Sequence, residues 1–385
     1  MDPSLRWGDG ERKQMPLYLT DDQAMLRDTA RELMAEEGAI AKQLRKYRDM
    51  GCKDGFGHAL WRQFGELGFT GVLVDEADGG LGLGHVEAGI VLEEIGRNLT
   101  PSPFLVTAVA VVEALRGTAQ RERWLPGILA GETVAALAVD EGRKHRPESI
   151  AMTAERSGNG FKLTGQKRFV VQGASADVFV VAARAEEGLT LFTVEKEAAG
   201  LDVEGVRLAD SSIGARVDFR GVEVDADAVL GEVGGGEAVL GRVLNAARAG
   251  AASEMVGVGA GAMAMTVDYL KQRKQFGKLI GEFQVLQHRA ANLYSELEIA
   301  RAAALKAQQL LDEGSAEAEA MVSVAKAKAG RVSTLAVQEG VQMHGGIGMT
   351  DEYDIGLYMK RDRVLNELFG DPNYHADKLA RLKGY

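Results

Sequence analysis

The hydrophobic period of the sequence changes twice along the chain, and this order restricts the folds it can adopt. Up to about residue 131 apolar residues recur at the spacing of helices, residues 132–232 hold short alternating runs rich in valine, phenylalanine and threonine, and from residue 233 the helical spacing returns. We therefore predict an α+β protein with a helical domain (1–131), a β domain (132–232) and a helical bundle (233–385). A Rossmann layout is excluded, because it needs strands and helices that alternate.

Helix signals are clear near both ends of the chain. Thr20 and Gln23 have the spacing of a capping box, and Leu26 and Leu33 begin an apolar face behind it. After residue 233 the apolar stripes are long and broad. Such helices bury one face inside a bundle and another against a second subunit, so we expect an oligomer.

The charge and the single cysteine exclude some classes of function. A net charge of −11 and a pI near 5.2 disfavour nucleic acid or an anionic membrane as the main partner. Cys52 stands alone, which fits a reducing compartment. The first residues lack the apolar core of a secretory signal, and the longest uncharged apolar stretch, 104–112, is too short to cross a bilayer. We expect a cytoplasmic protein, and since the histidines lack metal-ligand spacing we expect no metal.

Two short stretches carry the strongest functional signals. "QMHGGIGM" (342–349) places consecutive glycines after a helical stretch, where free backbone N–H groups could bind an anion. "RKQFGKLIGEFQ" (273–284) follows another helix, and Arg273 supplies a fork for a phosphate oxygen beside the aromatic Phe276. The alternative is a basic helix end that complements its dipole. A further glycine cluster at 257–263 lies within a helical pattern and favours close helix packing.

Together these stretches resemble the acyl-CoA dehydrogenase family. The residues that carry the resemblance are "RKQFGKLIGEFQVLQH" and "QMHGGIGMTDEY", with "DEADGGLGLGHVEAGIVLEEIGR" and "WLPGILAGE" upstream. The resemblance covers nearly the whole chain. It implies an N-terminal all-helical domain, a middle β-sandwich or barrel domain and a C-terminal four-helix bundle, in chains that assemble as dimers or tetramers.

The resemblance also implies an acyl-CoA substrate, FAD as cofactor and an acceptor of the electron-transfer flavoprotein type. In the family, the arginine of R-x-Q-F-G and the Q-x-x-G-G-x-G segment reach the ADP half of a neighbouring chain's FAD. Carried over, this predicts that Arg273 and Gln275 meet the pyrophosphate and that Phe276 packs near it. The residues expected along the ADP path are Gln342, Gly345 and Gly346.

The chain departs from the family where the chemistry takes place. The family reaction removes an α-proton and a β-hydride from a thioester, and the proton needs a positioned carboxylate base. In many members the base is a glutamate before a glycine, and aligning that glycine with Gly370 puts Phe369 at the base position. Other members carry the base just before a helix arginine that matches Arg248, where this chain has Ala247. Neither Phe369 nor Ala247 can take a proton.

Other positions around the predicted chemistry are weaker candidates or further departures. Glu367 and Asp371 flank the base position, although "GDPN" is a strong turn signal. Arg248 is a candidate substrate contact by the resemblance. The family segment that contacts flavin and substrate is replaced by "VDEGRKHRPES" (139–149), and a tryptophan-hydrophobic-threonine run beside the flavin is replaced by residues 169–171. The predicted ADP contacts are thus kept, while the ring side and the base positions are not.

Three hypotheses follow. In the first hypothesis, the chain is the base-lacking subunit of a heteromeric acyl-CoA dehydrogenase, a heterotetramer in which a homologous chain holds the flavin ring and the glutamate. The second hypothesis is a self-sufficient homodimer or homotetramer whose base is displaced to Glu367 or Asp371. The third is a structural family member without chemistry. A flavin-dependent oxygenase on this fold is a further possibility that no residue here specifically demands.

Overall fold

The part of the chain before the predicted β domain is helical. The computed structural model describes residues 17–385. The predicted capping box is present, since Thr20 Oγ1 accepts from the Gln23 amide and Gln23 Oε1 accepts from the Thr20 amide. No helix within the described residues is long and apolar enough to span a membrane. The α-helices of this part are α1 (Asp21–Glu36), α2 (Lys46–Asp49), α3 (His58–Glu66), α4 (His85–Arg97), α5 (Val112–Leu115) and α6 (Arg121–Leu129).

A seven-stranded mixed sheet follows. The order is β1-β4-β2-β3-β7-β6 with β5 on β4, and β1 and β2 run parallel to β4 while the other pairs are antiparallel. The register between β3 and β7 shifts after Leu163 and again after Lys167, and such shifts bend a sheet and increase its twist. The strands are β1 (Ala135–Ala138), β2 (Thr153–Ser157), β3 (Gly160–Val171), β4 (Val178–Ala185), β5 (Gly188–Glu195), β6 (Leu201–Arg207) and β7 (Ile213–Val224).

The third part is a bundle built around three long helices. A small hairpin, β8 (Lys274–Gln275) and β9 (Lys278–Leu279), separates the first two of them. The carboxyl ends of α7 and α9 lie together, because the ring of Tyr269 on α7 stacks on that of His344 on α9 with centroids 4.5 Å apart. The helices are α7 (Gly236–Gln272), α8 (Gln284–Asp312), α9 (Ala318–His344), α10 (Ile355–Glu367) and α11 (Pro372–Leu382).

The glycine cluster at 257–263 lies inside α7 and packs directly on α4. A Cβ at Gly257 would lie 2.0 Å from the carbonyl oxygen of Glu93, and one at Gly261 would lie 2.4 Å from that of Arg97. The prediction of close helix packing is therefore confirmed. This contact joins the N-terminal helices to the bundle, and the helix–sheet–helix order predicts the observed architecture correctly.

Candidate functional site

The hairpin that follows α7 presents Arg273 and Phe276 to solvent. Gln275 pairs with Lys278, so Phe276 and Gly277 form a two-residue turn, and both have positive φ, 53° and 79°. Two such residues in sequence are typical of the hairpin turn whose twist matches that of its strands. A non-glycine residue rarely adopts this conformation, yet it leaves the Phe276 side chain 90% exposed. The chain therefore places a large ring where its own core cannot contact it.

The predicted glycine segment begins where α9 ends. Gly345 follows His344 with φ 65°, a conformation that favours glycine. A Cβ built on Gly345 or on Gly346 would meet no atom within 4 Å. Gln342, Gly345 and Gly346 are all exposed. The packing of this chain thus gives no steric reason for a glycine at Gly346, and the space beside it is open to another molecule.

The hairpin and the glycine segment lie at the same end of the bundle. Tyr269, whose ring stacks on His344, accepts a hydrogen bond from the Arg273 amide to its carbonyl oxygen at 2.9 Å. Two motifs about seventy residues apart in sequence are thereby anchored to one point. We call this region the hairpin–glycine surface; it consists of Arg273, Gln275, Phe276, Gln342, Gly345 and Gly346.

The two predicted base positions are buried and apolar. Ala247 is 0% exposed within α7. Phe369 is 6% exposed and has φ 59°, in the short turn between α10 and α11. Its carbonyl oxygen accepts hydrogen bonds from Arg248 Nε and from His375 Nε2, each at 3.1 Å. The turn is thus held by its backbone, and neither position offers an ionisable side chain.

Glu367 and Asp371, the alternative bases, have other partners. Lys144 Nζ donates to Glu367 Oε2 at 2.8 Å and to Asp371 Oδ2 at 3.2 Å. The other oxygen of Asp371 caps α11 by accepting from the amides of Asn373 and Tyr374 at 3.0 and 2.8 Å. Burial raises the pKa of Asp371, but the Tyr374 amide and Lys144 outweigh it and leave that pKa below its ordinary value. A lowered pKa makes a carboxylate a weaker base, so this arrangement favours ion-pair and capping roles.

Arg248, the candidate substrate contact, lies behind the turn and is 1% exposed. Besides Phe369, its guanidinium hydrogen-bonds His145 Nε2 at 3.0 Å and the Tyr374 hydroxyl at 3.1 Å. Burial lowers its pKa from the ordinary value for arginine. These contacts orient the segment that carries Phe369, and they direct the guanidinium toward protein groups.

Lys326 is a buried residue of this region that no sequence signal singled out. It is 0% exposed on α9, and its ammonium donates to the carbonyl oxygens of Leu365 and Gly370 at 2.9 and 3.1 Å. Burial, together with the nearby Arg248 charge, lowers the pKa of Lys326 to about 7. Lys326 and Arg248 therefore both donate to backbone carbonyl oxygens of the turn. The sequence around Lys326 alternates alanine and lysine, as in an ordinary surface helix.

A small cavity lies beside Leu368, the residue before Phe369. Val171 and Gln172 also line it, and its volume is about 40 Å³. Ligand pockets in proteins usually measure about 300–1,000 Å³. Arg361 also lines the cavity. In this conformation the space accommodates a water molecule and not an acyl chain.

A buried ion triad borders the same cavity. Arg361 Nη1 donates to Asp210 Oδ2 at 2.7 Å, and its Nε donates to Glu254 Oε1 at 2.9 Å. The two carboxylates are 5% and 2% exposed. The triad joins the loop before β7 to α7 and α10. No sequence signal identified it, because its members lie far apart along the chain.

The loop that replaces the family's flavin-contacting segment is strongly basic on its outside. Arg143, Lys144 and Arg146 are exposed. On the inside, His145 hydrogen-bonds Asp140 at 2.9 Å. Burial lowers the pKa of His145, although Asp140 opposes that shift. Beside the loop, Val171 is buried and has no hydroxyl to offer a ring.

A larger cavity lies apart from the predicted site residues. It has a volume of about 650 Å³ and lies between α1, α4, α7 and α8. It contains none of those predicted residues. Over residues 17–385, no group of three or more His, Cys, Asp or Glu side chains could hold a metal ion.

The chain matches known protein families over most of its length. The matching families are acyl-CoA dehydrogenase N-terminal domain (20–132), middle domain (137–218) and C-terminal domain (234–383). It is 34% identical over 335 residues to acyl-CoA dehydrogenase FadE12 of Mycobacterium tuberculosis, covering 83% of this chain and 86% of that protein. It is 32% identical over 326 residues to mitochondrial isovaleryl-CoA dehydrogenase of Solanum tuberosum, covering 80% and 78%.

A solved structure shows the same fold. A chain from a variant of the Tcur3481–Tcur3483 steroid ACAD has a TM-score of 0.86 and 28% identity, over 94% of this chain and 97% of that chain. All three parts of the fold, the helices, the sheet and the bundle, are therefore shared with this relative.

Proposed function

The chain belongs to the acyl-CoA dehydrogenase family, and from this premise we propose that it is the base-lacking subunit of a heteromeric, FAD-dependent acyl-CoA dehydrogenase. A homologous chain would hold the flavin ring, the thioester and the catalytic carboxylate. This chain would contribute its hairpin–glycine surface to the ADP half of that flavin. The observation that carries the proposal is the contrast between this open surface and a base position occupied by the buried side chain of Phe369.

The residues of the hairpin–glycine surface fit a nucleotide tail. Arg273 can donate two parallel hydrogen bonds to a phosphate, and such bonds are short and strong. Gly345 and Gly346 leave their backbone open to close approach, since no side chain of the described residues lies within 4 Å of a Cβ placed there. Phe276 offers a free ring face. When bound, FAD would accept the hydride from the β-carbon of the thioester.

The residues on the ring side do not fit the same cofactor within this chain. The cavity beside Leu368 has a volume of about 40 Å³, well below that of a usual ligand pocket. Val171 supplies no hydroxyl, and Phe369 no carboxylate. These features support a division of labour between two homologous chains. The related solved structure is named for two proteins together, Tcur3481 and Tcur3483, which is consistent with this arrangement.

The substrate class that the proposal implies is an acyl-CoA thioester, and a ring-bearing acyl group is favoured because the related structure is named a steroid ACAD. An acceptor of the electron-transfer flavoprotein type would reoxidise the flavin. The division of labour itself does not depend on which acyl group is used.

The test is expression of the chain alone and together with a homologous acyl-CoA dehydrogenase encoded beside it. We expect the lone chain to purify with much less than one FAD per chain and to lack dehydrogenase activity. The mixed complex should hold about one FAD per pair of chains and oxidise acyl-CoA with an artificial electron acceptor. Stoichiometric flavin and full turnover in the lone chain would refute the proposal.

A further inference from the structure

Three aromatic rings meet at the base of the hairpin–glycine surface. His344 lies between Tyr269, with ring centroids 4.5 Å apart and planes at 29°, and Tyr353, with centroids 4.8 Å apart and planes at 51°. Tyr269 belongs to α7, His344 ends α9, and Tyr353 lies in the loop that leads to α10. We call these three residues the aromatic stack.

The stack is connected by backbone to both motifs of the surface. The Arg273 amide donates to the carbonyl oxygen of Tyr269, and His344 directly precedes Gly345. A Cβ placed on Gly345 or on Gly346 would have no atom within 4 Å. Because Gly345 is bonded directly to His344, the packing of His344 contributes to the position of both glycines relative to Arg273.

The hydrogen bonds of His344 define its tautomer. Its Nδ1 lies 2.6 Å from the carbonyl oxygen of Gly340, which can only accept, so Nδ1 carries the proton. Its Nε2 is buried and has no hydrogen-bond partner among the described residues. The residue is 3% exposed. A second proton on Nε2 would have no acceptor there, and a buried donor without a partner is unfavourable.

Resting on the proposed function, we infer that the aromatic stack positions the glycine segment beside Arg273 and that it does so only while His344 is neutral. His344 is a positioning residue in this scheme, because it acts through Gly345 and Gly346. Acidification would then loosen the surface that this chain offers to a nucleotide. The proposal concerns the regulation of that surface by pH.

The titratable groups around the aromatic stack do not account for the expected pH response. From α7 the neighbours are Tyr269 and Asp268, and from the loop they are Tyr353 and Asp354. Burial raises the pKa of Tyr353, so this phenol stays neutral at physiological pH. Asp354 is paired with Arg45. Burial lowers the pKa of His344, and the hydrogen bond to Gly340 only partly opposes this.

The His344 ring is either packed between the two tyrosines or released from them, and the lowered pKa of the packed ring sets the sign of the pH effect. The ordinary pKa of histidine is about 6.5, and the packed ring titrates below this value. Above pH of about 6.5 both the packed and the released ring are neutral, and pH has no effect. Below it the released ring gains a proton that the packed ring does not, so the released state is favoured by up to about tenfold per pH unit until the lowered pKa is reached.

The first experiment uses the lone chain and needs no flavin. Hydrogen exchange of the peptide spanning 342–349 is followed between pH 7.5 and 5, with correction for the intrinsic exchange rate. In the native chain we expect protection to fall progressively below about pH 6.5. His344→Phe keeps a stacked ring but cannot titrate, so its protection should be independent of pH. His288→Gln, which removes an exposed histidine on α8, should retain the native acid response.

A native peptide whose protection is independent of pH would overturn the inference, and so would a His344→Phe variant with the same acid response as the native chain. His344→Gln provides a second variant if phenylalanine disturbs the stack. Glutamine retains a donor for Gly340 and does not titrate, so its protection should be lower at all pH values but equally flat.

The second experiment uses the complex with the homologous chain. The dissociation constant of FAD should rise as the pH falls below about 6.5 in the native complex and stay constant in the His344→Phe complex. Equal acid responses of the two complexes would overturn the inference. Absence of flavin from the complex at every pH would refute the proposed function instead, and hydrogen exchange in the lone chain would still decide the role of the stack.

Discussion

The hairpin–glycine surface and the turn that carries Phe369 differ in how far this chain supplies their hydrogen-bond and packing partners. The turn is buried, and its carbonyl oxygens accept from Arg248, Lys326 and His375. The hairpin–glycine surface is exposed, and a Cβ at either Gly345 or Gly346 would touch nothing. A region saturated by its own chain needs no further molecule, whereas an open backbone beside an arginine is suited to bind one. The difference supports the proposal that this chain contributes a contact surface and that its partner holds the reaction centre.

The largest effect should come from breaking the ion triad near the turn. Arg361→Met would leave Asp210 and Glu254 buried without a cation, and removal of one partner of a buried pair typically destabilises by about 3–5 kcal/mol. Urea denaturation would measure this loss. Arg363→Met is the matched control, since among residues 17–385 this exposed side chain forms an ion pair with Glu367 alone, and the change should cost less than about 1 kcal/mol. Equal losses in both variants would contradict a structural role for the triad.

A smaller effect is expected at the hairpin–glycine surface, where a substitution should change FAD affinity and not the free energy of unfolding. Arg273→Ala should weaken FAD binding in the mixed complex by roughly tenfold to a hundredfold, because a hydrogen bond to a charged group contributes about 1.5–3 kcal/mol. The unfolding free energy of the lone chain should change by less than about 0.5 kcal/mol, because the side chain is exposed. Flavin titration and urea denaturation would separate the two quantities.

The neighbouring Lys274→Ala is the control for this prediction. It also removes an exposed cation from the hairpin, but not the planar fork that can bind a phosphate with two bonds. Loss of affinity that is equal in the two variants would show that only net charge matters. It would weaken the comparison between the two regions.

The smallest effect should follow from Asp371→Asn. Asparagine caps a helix as well as aspartate does, so only the ion pair with Lys144 is lost, which is about 0–1 kcal/mol. Turnover by the mixed complex should be unchanged, since this carboxylate is not expected to take the proton. A drop in turnover of about a hundredfold or more would instead support the displaced base of a self-sufficient enzyme.

Much of the fold was predictable because it depends on local patterns. The changes of hydrophobic period indicated helices, sheet and bundle in the observed order. The small residues at 257–263 indicated close helix packing, and the structure identified α4 as the partner of α7 there. For the candidate site, the residues of the hairpin–glycine surface were selected from two motifs, and their roles remain predictions. Arg248 was selected as a candidate substrate contact, and that role also remains a prediction; the structure adds its hydrogen bonds to Phe369, His145 and Tyr374.

What the sequence alone determined is the identity of side chains at given positions, including the absence of a carboxylate at Phe369 and Ala247. Only the tertiary structure decided that Lys144 meets Glu367 and Asp371, that Arg361 joins Asp210 to Glu254, and that Tyr269 stacks on His344. Periodicity reports which face of an element is buried, since it arises from neighbours along one helix or strand. Pairings between distant elements leave no such period, because they depend on how those elements pack in three dimensions.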